Sequence, residues 1–307
     1  MSTPSSSTSG ATPRVSVVLL TYRRPRETER AISRLLAQTL VDFELLVRDD
    51  GDGDDGTAEA VQRAASGDAR IRYSRNGSHL GRTGSMNAAL REARGEYVAI
   101  CHDHDLVSSS WLASLAHLLD GHPTAWFAHC AFELVDAQDQ PTGDSSNLRW
   151  GELTEGSAWL RQAMERMGVP VCCLAMVRRE AFARFGALDP VYGQHADLEL
   201  WLRLACHGGV AFTAEPQVTM REPIPDQLPW RYLFTLGHML RRHVDRAFPF
   251  PGRGLERLRW EARATALLLG ELRRARRRNQ PLRRDDVPEG VRGGFGAPGR
   301  LALALGR

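Results

Sequence analysis

Lysine is absent from these 307 residues, and all 40 basic side chains are arginines, the pattern a GC-rich coding sequence gives. Cysteine is scarce. The five thiols (Cys101, Cys130, Cys172, Cys173 and Cys206) are odd in number and form no CxxC ladder. Most sit in apolar runs, where a free cysteine behaves as a small hydrophobe. This argues against a disulfide framework and for a reducing cytoplasm. No stretch approaches the roughly 18 consecutive apolar residues of a membrane span. A strong excess of one charge is also missing, and the formal net charge of +3 gives no reason to expect a nucleic-acid partner. No internal repeat is visible. Residues 1–13 are rich in Ser, Thr and Pro and lack the apolar core of a signal peptide, so they read as a disordered leader. The expected location is cytoplasmic, with peripheral contact at the inner membrane face as the one extension.

The remaining composition is that of a folded chain. Hydrophobic residues make up 42% and charged residues 25%, enough for a core that needs no covalent staples. From Val15 onward, short apolar runs alternate with helical periodicity, the mark of a layered α/β domain. VSVVLL (Val15 to Leu20) reads as a buried strand running into TYRRP, with Pro25 placed for a first helical turn. Ile32, Leu35, Leu36 and Leu40 follow at helical spacing. FELLVR is a second strand ending in the acidic loop DDGDGDDGT, where Thr57 can cap the next helix. RIRYS is a third strand. A helix is expected from about Arg82 to Arg94, with Gly95 as its stop. EYVAIC is a fourth strand leading into His102, Asp103, His104 and Asp105, and Ser108 to Ser110 can cap a further helix.

The middle is looser. AWFAHCAFELVD and VCCLAMV read as strands, RREAFARFG and ADLELWLRLACHGG as helices, and Asp136 to Leu153 as a polar loop able to cover a cleft. After VAFTAE the pattern is helical, from Leu228 to about His243 and from about Gly254 to Arg278. The tail from Asn279 is rich in Pro, Gly and Arg.

Acidic residues sit just past the C-terminal ends of the second and fourth strands, the edge where open α/β sheets bind ligands. A D-x-D pair, Asp103 and Asp105, can place two carboxylates on one hard cation and leave room for phosphate oxygens. His102 and His104 beside them favour Mn²⁺ alongside Mg²⁺. A polar loop after a strand explains the same four residues. Asp49 and Asp50 suit either a tight acidic turn or hydrogen bonding to a base or ribose. Asn87, on a helix whose N-terminus can attract phosphate, can face solvent or the cleft. Asp197 can cap a helix or act as a base.

The order of these elements resembles the family-2 glycosyltransferases of the GT-A fold. The matching segments are VSVVLLTYRRP, ELLVRDDGDGDDGT, HLGRTGSMNAALREARGEYVAICHDHD, SSSWL and FGALDPVYGQHADLELWLRLACHGG, spanning roughly Val15 to Ala214. The resemblance implies a GT-A-like (Rossmann-like), mostly parallel sheet flanked by helices over residues 14–220. Residues 14–105 then form a nucleotide-sugar half and residues 106–220 an acceptor half. A helical extension over residues 221–280 and a flexible tail over 281–307 follow.

It further implies inverting transfer from a nucleotide-diphosphate sugar, UDP favoured, to an acceptor hydroxyl. Thr21 and Tyr22 resemble the first nucleotide-contacting turn, and Asp50 with Asp49 the carboxylate that recognises the base. Gly81, Arg82 and Asn87 resemble the loop and helix bordering the diphosphate and sugar. Asp103 and Asp105 resemble the metal-binding D-x-D, with Asp103 also on the donor side, and Asp197 resembles the catalytic base. Such a base takes the acceptor hydroxyl proton as the oxygen attacks the anomeric carbon, and a helix start helps it stay ionised.

Departures from the family pattern are specific. Ala196 stands where a Glu usually precedes the base, and the acidic loop is one residue longer than the common form. Aligned without a gap, His102 and His104 occupy the usual aspartate positions, yet Asp103 and Asp105 are preferred here because His is a poorer partner for a hard cation. The late metal-binding histidine is missing from VTMREP; His238 and His243 are weak substitutes. Two rivals follow: a non-catalytic nucleotide-sugar-binding homologue, and a sugar-nucleotide nucleotidyltransferase, against which stands the lack of a G-x-G-x-R signature after the first strand.

Leu255, Leu258, Trp260, Ala264, Leu267 and Leu268 lie among many arginines, which thicken at Arg273, Arg274, Arg276, Arg277 and Arg278. A basic helix packed on the domain explains this; attachment to an anionic membrane surface, where a lipid-linked acceptor lies, is the sharper alternative, and an RNA or protein partner is the third. A polysaccharide or a natural product is an equally open acceptor.

Overall fold

The computed structural model describes residues 12–277 except 52, 137, 139, 145–149, 167–170, 172–173, 222–228 and 248–251. Cys172, Cys173, most of the leader, Leu228 and everything from Arg278 on lie outside the described residues, as does part of the Asp136–Leu153 loop.

The first half is a run of parallel βα units. Strands β1 (Val15–Thr21), β2 (Phe43–Asp49), β3 (Ile71–Arg75) and β4 (Tyr97–His102) are linked by helices α1 (Pro25–Leu36), α2 (Thr57–Ala65) and α3 (Gly81–Glu92). The second half comprises β5 (Leu106–Val107), α4 (Trp111–Gly121), β6 (Ala125–Val135), β7 (Pro141–Asp144) and β8 (Leu153–Thr154). It continues with α5 (Gly156–Arg166), β9 (Met176–Arg178), α6 (Arg179–Phe185), α7 (Ala196–Ala205) and β10 (Gly209–Arg221). Helices α8 (Pro229–Arg242), α9 (Val244–Ala247) and α10 (Gly254–Arg277) close the described chain.

All ten strands form one sheet, ordered β3-β2-β1-β4-β9-β6-β10-β5, with β7 beside β6 and β8 beside β10. The β1–β2, β1–β4, β2–β3 and β6–β10 pairs are parallel; β9 runs antiparallel between β4 and β6. Helices cover both faces, which is why β1 and β4 read as nearly unbroken apolar runs, whereas β2 also buries Glu44, Arg48 and Asp49. Alternation along β1 still sorts its side chains. Val17 and Leu19 join Ile32 and Leu35 of α1 and Trp111 and Leu115 of α4. Val18 faces the opposite core with Met86, Trp159, Trp201 and Leu236. Helix α1 begins with Pro25 in its first turn and buries Thr28, Ala31, Ile32 and Leu35; of the expected stripe, Leu36 is half-buried and Leu40 lies beyond the helix end.

Three local expectations are corrected. Thr57 opens α2 as its first residue and caps nothing; the cap position is Gly56, at φ +81°, and Asp55 accepts the Thr57 amide at 3.0 Å. Ser110 sits at the cap of α4 without a capping bond, because its hydroxyl donates to Gln217 of β10 at 2.9 Å. Gly95 is not a helix stop of the left-handed kind, since α3 ends at Glu92. A Cβ there would lie 2.4 Å from the Ser16 amide nitrogen and 2.8 Å from the Tyr97 carbonyl oxygen. The residue is glycine because β1 passes against it. Gly95→Ala is therefore expected to cost roughly 1–3 kcal/mol through forced backbone shifts, read as a fall in the thermal midpoint. An unchanged midpoint contradicts the close approach. The polar loop after β6 also holds more structure than its composition suggests, because β7 returns against β6.

Cys101 and Cys130 are buried free thiols and Cys206 is a half-buried one.

Candidate active site

Strands β1, β2 and β4 end together, so their last residues and the turns beyond them meet at one sheet edge. The cleft there is lined by Thr21, Tyr22, Arg24, Asp50, His79, Gly81, Arg82, Ser85, His102, Asp103 and His104, with Leu20 at its floor. Its volume of about 340 Å³ is in the range of small-molecule sites.

Asp50 follows β2 and is buried. Its Oδ1 accepts the Leu80 amide at 2.8 Å and Asn76 Nδ2 at 2.7 Å, and its Oδ2 lies 3.0 Å from His79 Nδ1. Burial pushes this carboxyl up, but the Leu80 amide, Asn76, Ser85 and the neighbouring His79 together hold it below the ordinary carboxylate range. It is thus a fixed, ionised acceptor facing the cleft. Tyr22 and His79 form a ring pair 4.6 Å apart above it. Thr21 shares a 2.6 Å hydroxyl bond with Thr28, pinning the β1–α1 turn, and its carbonyl accepts the Asp50 amide at 3.0 Å.

Asp49 has a different environment. Its carboxylate accepts Tyr73 Oη at 2.7 Å, Arg75 Nε at 2.9 Å and the Gly51 amide at 2.8 Å. It is wholly buried and does not line the cleft. Asn87 is likewise spent on structure: its amide clasps the backbone of Leu188 with bonds of 2.8 and 3.0 Å, tying α3 to the segment before α7. Gly81 opens α3 at φ +71°, a backbone that suits glycine.

After β4 the chain turns at Asp103 and His104, and the side chains at 102, 104 and 105 converge. His102, His104 and Asp105 offer ligand atoms all within 4.8 Å of one another. His102 Nδ1 is 3.2 Å from Asp105 Oδ2, and the two imidazoles stack with centroids 5.4 Å apart. Among the described residues Asp103 is outside this trio. Its Oδ1 lies 3.1 Å from His104 Nδ1 and 3.5 Å from Arg24 Nη1. The ungapped alignment, with histidines in place of aspartates, is thus the one whose side chains cluster. Two imidazoles and one carboxylate suit a borderline cation such as Mn²⁺ better than Mg²⁺, which prefers oxygen. Burial lowers the pKa of His102 against the opposing Asp105 bond, whereas the bond to Asp103 raises that of His104.

Asp197 stands in the first turn of α7, almost fully buried. Arg82 joins it to the cleft: Nη2 lies 3.0 Å from Asp197 Oδ2 and 2.9 Å from His102 Nε2. Because a guanidinium only donates, His102 Nε2 must accept, which leaves the proton on Nδ1 toward Asp105. One arginine therefore ties α3, β4 and α7 together.

The histidines considered for a late metal position lie elsewhere. His243 Nδ1 is 3.2 Å from Cys206 Sγ and its Nε2 is 3.6 Å from Glu199, while His238 packs beside Tyr192. The residues that sequence reasoning did not place in the cleft are Arg24, His79 and Ser85. The only signal for Arg24 and His79 was position, one residue before Pro25 and two before Gly81, and Ser85 had none.

Residues 16–186 match glycosyl transferase family 2. A GalNAc(5)-diNAcBac-PP-undecaprenol beta-1,3-glucosyltransferase of Campylobacter jejuni is 33% identical over 122 residues, 39% of this chain and 39% of that protein. A UDP-Glc:alpha-D-GlcNAc-diphosphoundecaprenol beta-1,3-glucosyltransferase of Escherichia coli is 30% identical over 100 residues, covering 33% of this chain and 37% of that protein. The chain thus spans about two fifths of the length of these two curated relatives. Among solved structures, a mannosyltransferase of Pyrobaculum calidifontis in complex with GDP-Man and Mn²⁺ superposes with a TM-score of 0.56 at 20% identity, over 96% of this chain and 84% of that one. TarS of S. aureus in complex with UDP-GlcNAc gives 0.58 at 13% identity, over 95% and 89%. The fold is that of the GT-A glycosyltransferases. With its family pattern covering more than half its length, this chain belongs to glycosyl transferase family 2.

Proposed function

We propose that this chain is an inverting glycosyltransferase that uses a nucleotide-diphosphate sugar, UDP-linked by preference, and a hydroxyl acceptor. The observation that carries this reading is the Arg82 bridge, which joins the cleft at the ends of β1, β2 and β4 to the buried carboxylate of α7. Tyr22 and the fixed carboxylate of Asp50 bind the nucleoside, the ring by stacking and the carboxylate by accepting from base or ribose. Arg24 and Arg82 present donors to the diphosphate, which bears growing negative charge as the glycosidic bond breaks. Asp197 takes the acceptor proton while the acceptor oxygen bonds the anomeric carbon opposite the departing diphosphate. A divalent cation, which His104, Asp105 and, once its Nδ1 proton is displaced, His102 would hold, would supply further charge neutralisation to the leaving group. The undecaprenyl-diphosphate acceptors named for two relatives favour a lipid-linked glycan here over a soluble natural product.

The test is hydrolysis of a panel of nucleotide sugars by the purified protein with Mn²⁺, with Mg²⁺ and with a chelator, alongside Asp105→Ala. One donor is expected to be cleaved slowly, faster with Mn²⁺ than with Mg²⁺, and to resist cleavage after chelation or in the variant. If calorimetry then finds no binding of any nucleotide with Mn²⁺ present, the reading fails.

A further inference from the structure

Helix α10 carries seven arginines against three glutamates, a net +4, within a chain whose total is +3. The residues before this helix therefore sum to −4 and those after it to +3, so the positive charge of this protein begins at α10. Its inner side is fixed: Trp260 and Ala264 are buried, and Trp260 Nε1 donates to the Met164 carbonyl of α5 at 2.9 Å. Arg241 of α8 packs over the Trp260 ring, 6.0 Å away. Helix α8 in turn holds the approach to α7, through Arg242 bonded to Tyr192 at 3.0 Å. The helix thus rests on the acceptor half, on the same framework that positions Asp197.

Its outer side has no such use. Leu255 and Leu258 are 62% and 64% exposed, and Ala262 and Ala266 continue their line at helical spacing, also exposed. Arg259 and Arg263 flank that line and are exposed too, and Arg273 and Arg277 prolong it toward the C-terminal end. The nearest exposed acid, Glu256, is paired with Arg253 at 2.6 Å. Exposed leucines scattered singly need no explanation. An apolar line edged by guanidinium groups along one helix does, because water is a poor partner for the first and another protein core is a poor partner for the second. Arginine stems can lie on acyl chains while their heads reach phosphate.

We propose that the outer face of α10 docks flat on an anionic lipid surface, with Leu255 and Leu258 entering the headgroup boundary and Arg259 and Arg263 pairing with lipid phosphates. This orientation brings the acceptor half, not the donor cleft's β3 edge, to the membrane. It stands independently of the catalytic reading, since lipid binding needs no turnover.

The experiment is co-sedimentation of the full chain with vesicles of neutral phosphatidylcholine, or of phosphatidylcholine with roughly one third phosphatidylglycerol. Binding is expected to the anionic vesicles only, and to weaken at 1 M salt, about where screening shortens to 3 Å. Leu255→Asp with Leu258→Asp, and separately Arg259→Glu with Arg263→Glu, are each expected to lower the vesicle partition at least about tenfold. Donor hydrolysis without vesicles is expected to stay unchanged in both variants, which also reports that they fold. Equal binding to neutral vesicles, or none to anionic ones, overturns the proposal. So does a sedimentation-velocity result in which the wild type is a dimer that the Leu→Asp pair splits, because a second copy then covers the face.

Discussion

Asp197→Asn is expected to lower turnover of the donor by roughly 10²- to 10⁴-fold, the span covered by loss of a positioned base, while donor affinity stays within about twofold. The amide keeps one function of the carboxylate and loses the other. An asparagine oxygen can still accept from Arg82, as Asp197 Oδ2 does at 3.0 Å, so the bridge between α3 and α7 survives. What disappears is the ability to take a proton from the attacking hydroxyl. Arg82→Gln is the matching variant. Its guanidinium lines the cleft and touches both Asp197 and His102, so its loss should raise the donor KM as well as lower kcat. Steady-state hydrolysis of the cleaved donor, with calorimetry for binding, separates the two. If Asp197→Asn turns over at the wild-type rate, the base lies elsewhere and the α7 carboxylate is only a helix-start anchor.

That split also shows where sequence reasoning reaches and where it stops. The ends of β1 and β4 are legible to within one residue because VSVVLL and YVAIC are almost wholly apolar and run into polar residues, and β2 is closed by the acidic loop that follows it. Parallel pairing then brings those stops to one edge. Asp197 stands out only through the resemblance, since the apolar period of the helix after it fits a helix-start residue equally well; the structure places it in the first turn of α7 beside Arg82. Which of two adjacent aspartates faces the ligand is not legible. Asp49 is captured by Tyr73 and Arg75, 24 and 26 residues away on the next strand, and only the β2–β3 register determines that. Hard-cation chemistry likewise favoured Asp103 with Asp105, whereas the turn after β4 gathers His102, His104 and Asp105. Ligand preference is a property of residue type, but convergence is a property of backbone direction. Asn87 illustrates the same limit: its position in the family pattern is clear, yet its amide clasps Leu188, a partner 101 residues away.

The second large effect concerns stability in acid, and it comes from a residue outside the cleft. His129 lies in the middle of β6 with no exposed surface, packed among Phe127, Trp150, Trp159 and Phe212. Neither ring nitrogen has a hydrogen-bonding partner among the described residues. Burial therefore disfavours the imidazolium and lowers its pKa from 6.5 to about 3, against the opposing effect of the neighbouring Cys130 backbone. The folded state binds this proton more weakly than the unfolded chain does. Stability from this group is thus complete above about pH 6.5 and drains away as pH falls from there through 3. A shift of that size corresponds to about 5 kcal/mol at the acid end, a large part of a typical total. His102, His195, His207 and His238 are also lowered by burial and slope the same way, whereas His104 is raised and opposes them. The informative quantity is accordingly the difference between wild type and His129→Phe, measured by denaturant unfolding from pH 7 to pH 4.5, above the range where most carboxylates titrate. The variant keeps a ring in the aromatic box and carries no proton to expel. It is expected to be as stable as wild type or about 1–3 kcal/mol more so at pH 7, since two buried nitrogens no longer lack partners. Its advantage should then widen steadily as the pH drops. Parallel stability curves across that range would mean that His129 is reached by water or by a polar partner, and that the aromatic box is open on one side.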